Sequence, residues 1–312
     1  MTVDDHAEEF VGLPVRDYDP EEGIADPAGS AYRLSFSWND TEEMGSFGER
    51  LALFLEDPNA SQVRGLIIGA WQGDDSALSS ESIVEALVAA RAILANLRGL
   101  FLGDITSEEN EISWIEQSDV TPLFDAFPAL EQFRVRGGTG LVFGKLRHAN
   151  LRSLVVESGG LDEQVVRGIA ASELPVLEHL ELWLGTEGYG RTAGVADLAP
   201  ILQGDRFPAL RYLGLRNCAD ADEIAKAVAQ APVVAKIKVL DLSLGDLGDE
   251  GALAIAGSPD VAKLESLDIH HHFVSDEALA QLKGLGITID ASERMKPYDW
   301  RDEDNRYIAV SE

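Results

Sequence analysis

One segment, Leu210–Pro232, reads LRYLGLRNCADADEIAKAVAQAP. Its first part places Leu210, Leu213 and Leu215 in the pattern L-x-x-L-x-L, and such short alternation of apolar residues predicts a half-buried strand. Its second part spaces aliphatic residues three and four apart, which predicts a helix. The segment also holds the chain's only cysteine, Cys218. Whether this thiol is reactive or structural depends on whether the pattern repeats.

The L-x-x-L-x-L template occurs eight times along the chain. The copies are Val63/Leu66/Ile68, Leu97/Leu100/Leu102, Leu130/Phe133/Val135, Leu151/Leu154/Val156, Leu177/Leu180/Leu182, Leu210/Leu213/Leu215, Ile237/Leu240/Leu242 and Leu264/Leu267/Ile269. The central positions are separated by 34, 33, 21, 26, 33, 27 and 27 residues. A fixed repeat of this length is typical of solenoid proteins. The longer intervals predict loop insertions, one of which covers Gly185–Gly194.

Amphipathic helical patterns lie between the predicted strands. They cover Leu78–Leu97, Leu161–Ser172, Ala219–Gln230, Leu247–Ser258 and Val274–Leu285. Acidic residues gather at their beginnings, as in Asp249/Glu250 and Asp276/Glu277, where negative charge favours the helix dipole.

A strand–loop–helix unit cannot bury both of its faces alone, so successive units must stack. Neighbouring strands lie about 4.8 Å apart, whereas packed helices need about 8–10 Å. Stacking therefore bends the array. The sequence predicts an α/β fold: a curved solenoid, or horseshoe, with a parallel sheet on its concave face and helices on its convex face, over residues 61–290.

These units resemble leucine-rich repeats. The segment IKVLDLSLGDLGDEGALAIA, Ile237–Ala256, is similar to the ribonuclease-inhibitor-like subclass, whose units of roughly 28 residues contain a full helix. The chain also resembles, more loosely, a bacterial leucine-rich-repeat group without an established function. The resemblance implies a protein-recognition scaffold, usually without catalysis.

The chain departs from the family at the turn position after each strand, where Asn or Cys is common. The residues there are Trp71, Ile105, Gly138, Gly159, Gly185, Cys218, Gly245 and His272. Cys218 alone matches, so we expect these turns to depend on glycine conformations. Because Cys218 occupies the turn position of one repeat, it is predicted to be buried and structural.

Composition limits the possible partners. The 312 residues include 55 acidic and 25 basic residues, a formal net charge of −30, which disfavours nucleic-acid binding and suits basic partners. A single cysteine excludes an internal disulfide framework. The acidic N-terminus does not resemble a signal peptide, and we find no apolar run of transmembrane length. We therefore expect a cytoplasmic, monomeric protein without membrane contact.

The two ends fall outside the repeat. Residues 1–29 are predicted to be an irregular acidic segment, and residues 30–60 a capping unit with a strand over Tyr32–Asn39 and a helix over Ser46–Asp57. Gly286–Ser292 is a candidate closing strand. The tail, residues 291–312, carries aromatic residues; it is either loosely ordered or docked on the scaffold.

Residues between the leucines of each strand should face the concave side. The predicted partner-binding residues are Phe101, Arg134, Arg136, Glu157, Glu181, Trp183, Tyr212, Arg216, Asp241, Asp268 and His270. Within this set, Trp183, Tyr212 and Arg216 should lie on neighbouring strands as an anchor cluster, because exposed aromatic residues and arginines are typical of recognition surfaces. The alternative is that inserted loops or the tail shield some of them. The acidic column Glu181, Asp241 and Asp268 suits a basic peptide or a cation.

The stretch LDIHHHF invites a metal hypothesis in which Asp241, Asp268 and His270 bind one ion. However, His271 should point to the opposite face, so the three histidines cannot converge. We predict no metal and no cofactor. Common phosphate-binding and hydrolase motifs are absent from the sequence.

We therefore predict a non-catalytic scaffold that binds a protein or peptide through its concave face. Two alternatives remain. The first is a recognition subunit that presents a peptide substrate within an enzyme complex. The second is a metal-dependent enzyme that uses the Asp241, Asp268 and His270 set.

Overall fold

The computed structural model describes residues 3–36, 46–73, 78–298 and 305–312. Its strands form one sheet in sequence order, from β1 to β12. They are β1 Glu9–Phe10, β2 Leu13–Asp17, β3 Ala31–Leu34, β4 Gly65–Ile68, β5 Gly99–Leu102, β6 Gln132–Arg136, β7 Ser153–Glu157, β8 His179–Gly185, β9 Tyr212–Cys218, β10 Val239–Asp241, β11 Ser266–Asp268 and β12 Thr288–Asp290.

The register of this sheet follows the leucine template. Leu213 pairs with Leu240, and Leu240 pairs with Leu267, so equivalent template positions lie side by side. All of these pairings are parallel except that of β1 with β2, which is antiparallel. The eight predicted strands are confirmed as β4 to β11, and the predicted closing strand is confirmed as β12.

Helices form the second layer, and the template leucines are buried between the layers in one continuous core. The α-helices in the described ranges are α1 Phe47–Glu56, α2 Glu81–Ala89, α3 Thr121–Ala126, α4 Glu163–Ala171, α5 Val195–Leu202, α6 Ala221–Ala229, α7 Asp249–Ala256 and α8 Asp276–Lys283. Short 3₁₀ turns cover Ala60–Gln62, Ala90–Ala92, Ile112–Trp114, Glu187–Tyr189, Pro232–Ala235 and Val261–Lys263. The α/β leucine-rich-repeat solenoid is confirmed. Within the described ranges, no helix has the length and apolar character needed to cross a bilayer.

The N-terminal end differs from the prediction. Residues 1–29 were expected to be irregular, yet β1 and β2 lie within them, and β2 pairs with β3. The unit over residues 30–60 is therefore not the outermost one. The strand β2 has the sequence LPVRD, whose proline and exposed polar residues obscure the apolar alternation. The two-residue strand β1 lies beyond it, and proline is tolerated near the edge of a sheet.

Candidate functional site

The structure brings the predicted residues together on the concave face, but it buries six of the eleven. Phe101, Arg136, Glu157, Glu181, Trp183 and Asp241 are buried, whereas Arg134, Tyr212, Arg216, Asp268 and His270 are half-buried. The expectation that all of them form an open surface is therefore wrong. Two features explain the burial: the chain termini fold over the sheet, and the charged side chains pair with one another.

The N-terminal segment covers the first part of the concave face. Ala7 and Phe10 pack against Ile67 and Phe101, both of which are completely buried. Gly65 and Gly99 leave space for this segment, because a Cβ at either position would contact Val11. A Cβ at Gly99 would lie 2.2 Å from a methyl of Val11 and 2.8 Å from the ring of Phe10. The predicted partner contact at Phe101 is thus occupied by the chain itself.

Substitution of Gly99 by valine should therefore displace this segment. Overpacking of this kind typically lowers the free energy of unfolding by about 1–3 kcal/mol. Urea unfolding would measure the loss, and proteolysis would report cleavage near residues 3–11. Gly188→Ala is the control, because a Cβ there meets no atom within 4 Å. Truncating the clashing side chain as well, in Gly99→Val/Val11→Ala, should recover part of the loss; additive losses would contradict the packing argument.

Ionic contacts of His6 with Asp104 and Glu109 hold the same segment against the sheet. His6 Nδ1 lies 3.6 Å from the completely buried Asp104, and its Nε2 lies 3.4 Å from Glu109. The carboxylates of Asp104 and Glu109 raise the pKa of His6 from 6.5 to about 9. The backbone N–H of Ala7 also donates to Asp104, at 3.2 Å. A protonated His6 therefore fastens the segment at neutral pH.

These contacts predict a pH dependence with a definite sign. Because folding raises the pKa of His6, its contribution to stability is complete below pH 6.5 and disappears as the pH rises through about 9. Urea unfolding of wild type and His6→Gln between pH 6 and pH 10 would measure it. The difference between the two proteins should shrink across that interval. A constant difference would show that His6 acts through packing alone.

Trp183 lies where the two termini meet. Its side chain is 1% exposed and packs with Val3, Ile112 and Leu244, while Val310 of the tail packs against the same cluster. The prediction of an exposed tryptophan anchor is wrong, because residues far away in the sequence cover it. The alternative weighed in the sequence analysis, shielding by the tail, is realised here together with shielding by the N-terminus.

The tail docks along a ladder of turns at the end of the strands. Asn217 exchanges two hydrogen bonds with the backbone of Val310, and the N–H of Ala309 donates to Leu244 at 2.8 Å. Tyr307 packs edge-on against His271 with ring centroids 5.6 Å apart. The docked tail is confirmed for residues 305–312. Trp300, another aromatic residue of the tail, lies outside the described residues.

The turns of this ladder do not have the predicted conformation. Asn217, Leu244 and His271 have φ values of 50°, 65° and 57°, in the left-handed region that favours glycine. They directly precede the turn positions Cys218, Gly245 and His272, of which only Gly245 is a glycine. Their backbone and side-chain groups contact the tail, so tertiary contacts hold a conformation that the residue types alone do not suggest.

Beside Trp183, a network of charged groups joins three strands. Arg216 donates to Glu181 at 2.8 Å and lies 3.2 Å from Asp241. Trp183 Nε1 donates to Glu181 at 2.7 Å, and the Tyr212 hydroxyl donates to Asp241 at 2.5 Å. The predicted proximity of Trp183, Tyr212 and Arg216 is confirmed. However, two carboxylates of the predicted acidic column, Glu181 and Asp241, are compensated internally.

The pKa values in this network follow from burial and pairing. Burial alone would raise the pKa of Glu181, but a hydrogen bond with His179 and the charge of Arg216 hold that pKa well below its usual range. Burial and the neighbouring carboxylates of Glu181 and Asp241 raise the pKa of Tyr212. Tyr212 therefore remains a hydroxyl donor, and Glu181 remains charged, at neutral pH.

A second network pairs both arginines of β6 with one carboxylate. Arg136 is completely buried, donates to Glu157 at 2.7 Å and donates to the carbonyl of Ile105 at 2.7 Å. Arg134 pairs with the same carboxylate, and its guanidinium lies 4.5 Å from the ring centroid of Phe101. These three charged groups hold the sheet together beneath the N-terminal segment. Partner contacts predicted for Arg136 and Glu157 are therefore incompatible with their burial.

The far end of the sheet stays more open. His179 stacks on Tyr212 with ring centroids 3.9 Å apart and planes inclined by 8°.

Asp268 and His270 are half-buried. Asp290, which the sequence analysis did not select, lies opposite Asp268 in the register of β11 and β12. Asp241 belongs to the Arg216 network instead, so the metal set Asp241, Asp268 and His270 does not form. The other two histidines of LDIHHHF are buried. His271 interacts with Gly245 O at 3.2 Å, and His272 interacts with Ala291 O at 3.2 Å.

Cys218 is buried, and burial raises the pKa of its thiol to about 12. The predicted structural role is confirmed. A thiol reagent at pH 8 should therefore modify Cys218 slowly in the folded protein and rapidly in urea, because the thiolate is the reactive form. Rapid modification without urea would contradict this assignment.

Comparison with known proteins adds a relative. No protein-family model matches the chain, and no curated protein matches it. A crystal structure of a Bacteroides fragilis protein, a structural-genomics target, is similar at 30% identity with a TM-score of 0.81, covering 90% of this chain and 77% of that one. An internalin from Listeria monocytogenes is similar at 15% identity with a TM-score of 0.38, covering 78% of this chain and 56% of that one.

Proposed function

The chain belongs to the same family as the Bacteroides fragilis protein, and from this family and its leucine-rich-repeat solenoid we propose that it is a non-catalytic scaffold that binds a protein or peptide. The binding surface in this proposal is the open patch, defined as His179, Tyr212, Asp268, His270 and Asp290 on strands β8 to β12 and the turn after β11. The first part of the concave face, under Ala7 and Phe10, is excluded because the chain itself occupies it.

One observation carries the proposal: the stacked His179–Tyr212 pair is held in place by the charged network beneath it. The Tyr212 hydroxyl is fixed by Asp241, and Asp241 is fixed by Arg216. An aromatic surface that is already ordered loses little conformational entropy when a partner binds. Half-buried aromatic and charged side chains in one patch are typical of binding hot spots.

The charge of the patch favours a basic partner. Asp268 and Asp290 contribute carboxylates at its far end, and the whole chain has a formal net charge of −30. A segment rich in lysine and arginine would be drawn to this surface, and exposed charge pairs weaken as salt shortens the Debye length to about 10 Å at 0.1 M. We also propose that the chain is a cytoplasmic monomer of the ribonuclease-inhibitor-like subclass.

A binding experiment tests the proposal directly. A pool of lysine- and arginine-rich peptides and a matched pool rich in glutamate would be applied to wild type, His179→Ala and Asp268→Asn. We expect the basic pool to bind wild type, to bind both variants at least about tenfold more weakly, and to lose affinity with added salt. Leu253→Ala is the control, because Leu253 is 42% exposed on the convex helix α7.

Binding that Leu253→Ala abolishes and both concave variants retain would move the site to the convex face. Equal binding of both pools would remove the electrostatic part of the proposal. Should a captured partner prove to be an enzyme, the chain would be a recognition subunit that presents a substrate to it.

A further inference from the structure

We propose that Asp268, His270 and Asp290 bind one divalent transition metal, and that their donor set suits Zn²⁺. One ligand atom from each side chain lies within 4.8 Å of the other two. The three donors are an imidazole nitrogen and two carboxylate oxygens. The site shares residues with the open patch, but metal binding is measured on the chain alone and does not depend on a partner.

The fold places these donors on one face. Asp268 ends β11 and its Cα partner across the parallel register is Asp290 in β12, while His270 follows two positions after Asp268. Each aspartate is already oriented by its own strand end. Asp268 Oδ1 accepts from the N–H of His270 at 2.9 Å, and Asp290 Oδ1 accepts from the N–H of Ser292 at 2.9 Å. The carboxylates are therefore positioned before any ion arrives.

The charge balance at this end of the sheet points to a cation. Like charges directly opposite one another on neighbouring strands are destabilising. In the preceding unit the equivalent aspartate, Asp241, is compensated by Arg216 at 3.2 Å. Among the described residues, the basic group within ion-pair distance of Asp268 or Asp290 is the imidazole of His270, at 2.8 Å from Asp268. A divalent cation would compensate both carboxylates, as Arg216 compensates Asp241 in the preceding unit.

The donor types select the metal. Zinc binds imidazole nitrogen and carboxylate oxygen at about 2.0–2.2 Å, which holds the ligand atoms about 3–3.5 Å apart. His270 Nδ1 and Asp268 Oδ1 already lie 2.8 Å apart. The longest separation in the set, at most 4.8 Å, must shorten by about an ångström, and the exposure of Asp290 allows the necessary rotation. Calcium prefers oxygen ligands alone and more of them. Three protein ligands leave a position for water, the arrangement of an open rather than a closed zinc site.

Isothermal titration of EDTA-treated protein with ZnCl₂ at pH 7.5 tests the site. We expect saturable binding of one Zn²⁺ that Asp290→Asn and His270→Gln each weaken at least about tenfold. Glu277→Gln is the matched control, because it removes one negative charge from the exposed first turn of α8 and should leave the affinity unchanged. Circular dichroism would confirm that each variant is folded.

Three results would overturn the proposal. Absence of saturable Zn²⁺ binding to wild type would remove the site. Binding that both ligand variants retain would place the metal elsewhere on the chain. Tighter binding of Ca²⁺ than of Zn²⁺ would remove His270 as a ligand.

Discussion

Replacement of Trp183 by alanine is expected to lower the free energy of unfolding by about 3–5 kcal/mol, the range for truncation of a large buried aromatic side chain. Trp183 is 1% exposed and lies beneath Val3 and Val310. Its removal leaves a cavity between the two termini and deprives Glu181 of the donor at 2.7 Å. Both the cavity and the lost hydrogen bond lower the free energy of unfolding.

Urea unfolding followed by circular dichroism would measure this loss, with Trp114→Ala as the matched control. Trp114 is 57% exposed, so its truncation should change stability by less than about 0.5 kcal/mol. Proteolysis provides a second readout, because a loosened junction should make residues 3–11 and 305–312 cleavable in Trp183→Ala. Similar small losses in both variants would mean that the termini do not cover Trp183 in solution.

Glu157→Gln is expected to have an effect of similar size, about 3–5 kcal/mol, because it leaves a buried guanidinium without its counter-charge. Glu157 is 1% exposed and pairs with Arg136, which is completely buried, and with Arg134. The amide of glutamine keeps the shape of the side chain but removes its negative charge. The loss therefore reports the charge pairing and not a cavity.

The same substitution at an exposed ion pair is the control for Glu157→Gln. Glu173 pairs with Lys145 and Arg147, and its side chain is 52% exposed. Glu173→Gln should cost much less stability than Glu157→Gln, since exposed pairs contribute little. If both variants lost equal stability, burial of the Glu157 network would not govern its strength. Unfolding midpoints in urea would distinguish the two cases.

Much of the fold follows from local pattern. The eight template copies became β4 to β11 because a strand with one buried face needs apolar residues at alternate positions, and stacking of equal units sets the parallel register. The proximity of Trp183 and Arg216 follows from that register. The burial of Cys218 follows in the same way, because each unit repeats the surroundings of the one before it.

The coverage of the concave face does not follow from the repeat, although one signal was present. Gly65 and Gly99 occupy concave positions where later units carry larger side chains such as Gln132 and Tyr212. Glycines at these positions indicate close approach by another part of the chain, which proved to be Phe10 and Val11. Nothing in residues 3–11 identifies that destination, because a docked segment without periodicity carries no record of its target.

The amino-acid sequence alone thus determined the repeating unit, the sheet and the faces of its strands, because these depend on interactions between residues close together or one repeat apart. Only the tertiary structure decided which concave residues remain accessible. That choice depends on contacts between distant segments, such as Val3 and Val310 over Trp183 and His6 beside Asp104. Distant pairings of this kind arise from shape and charge in the assembled fold, and local patterns do not contain them.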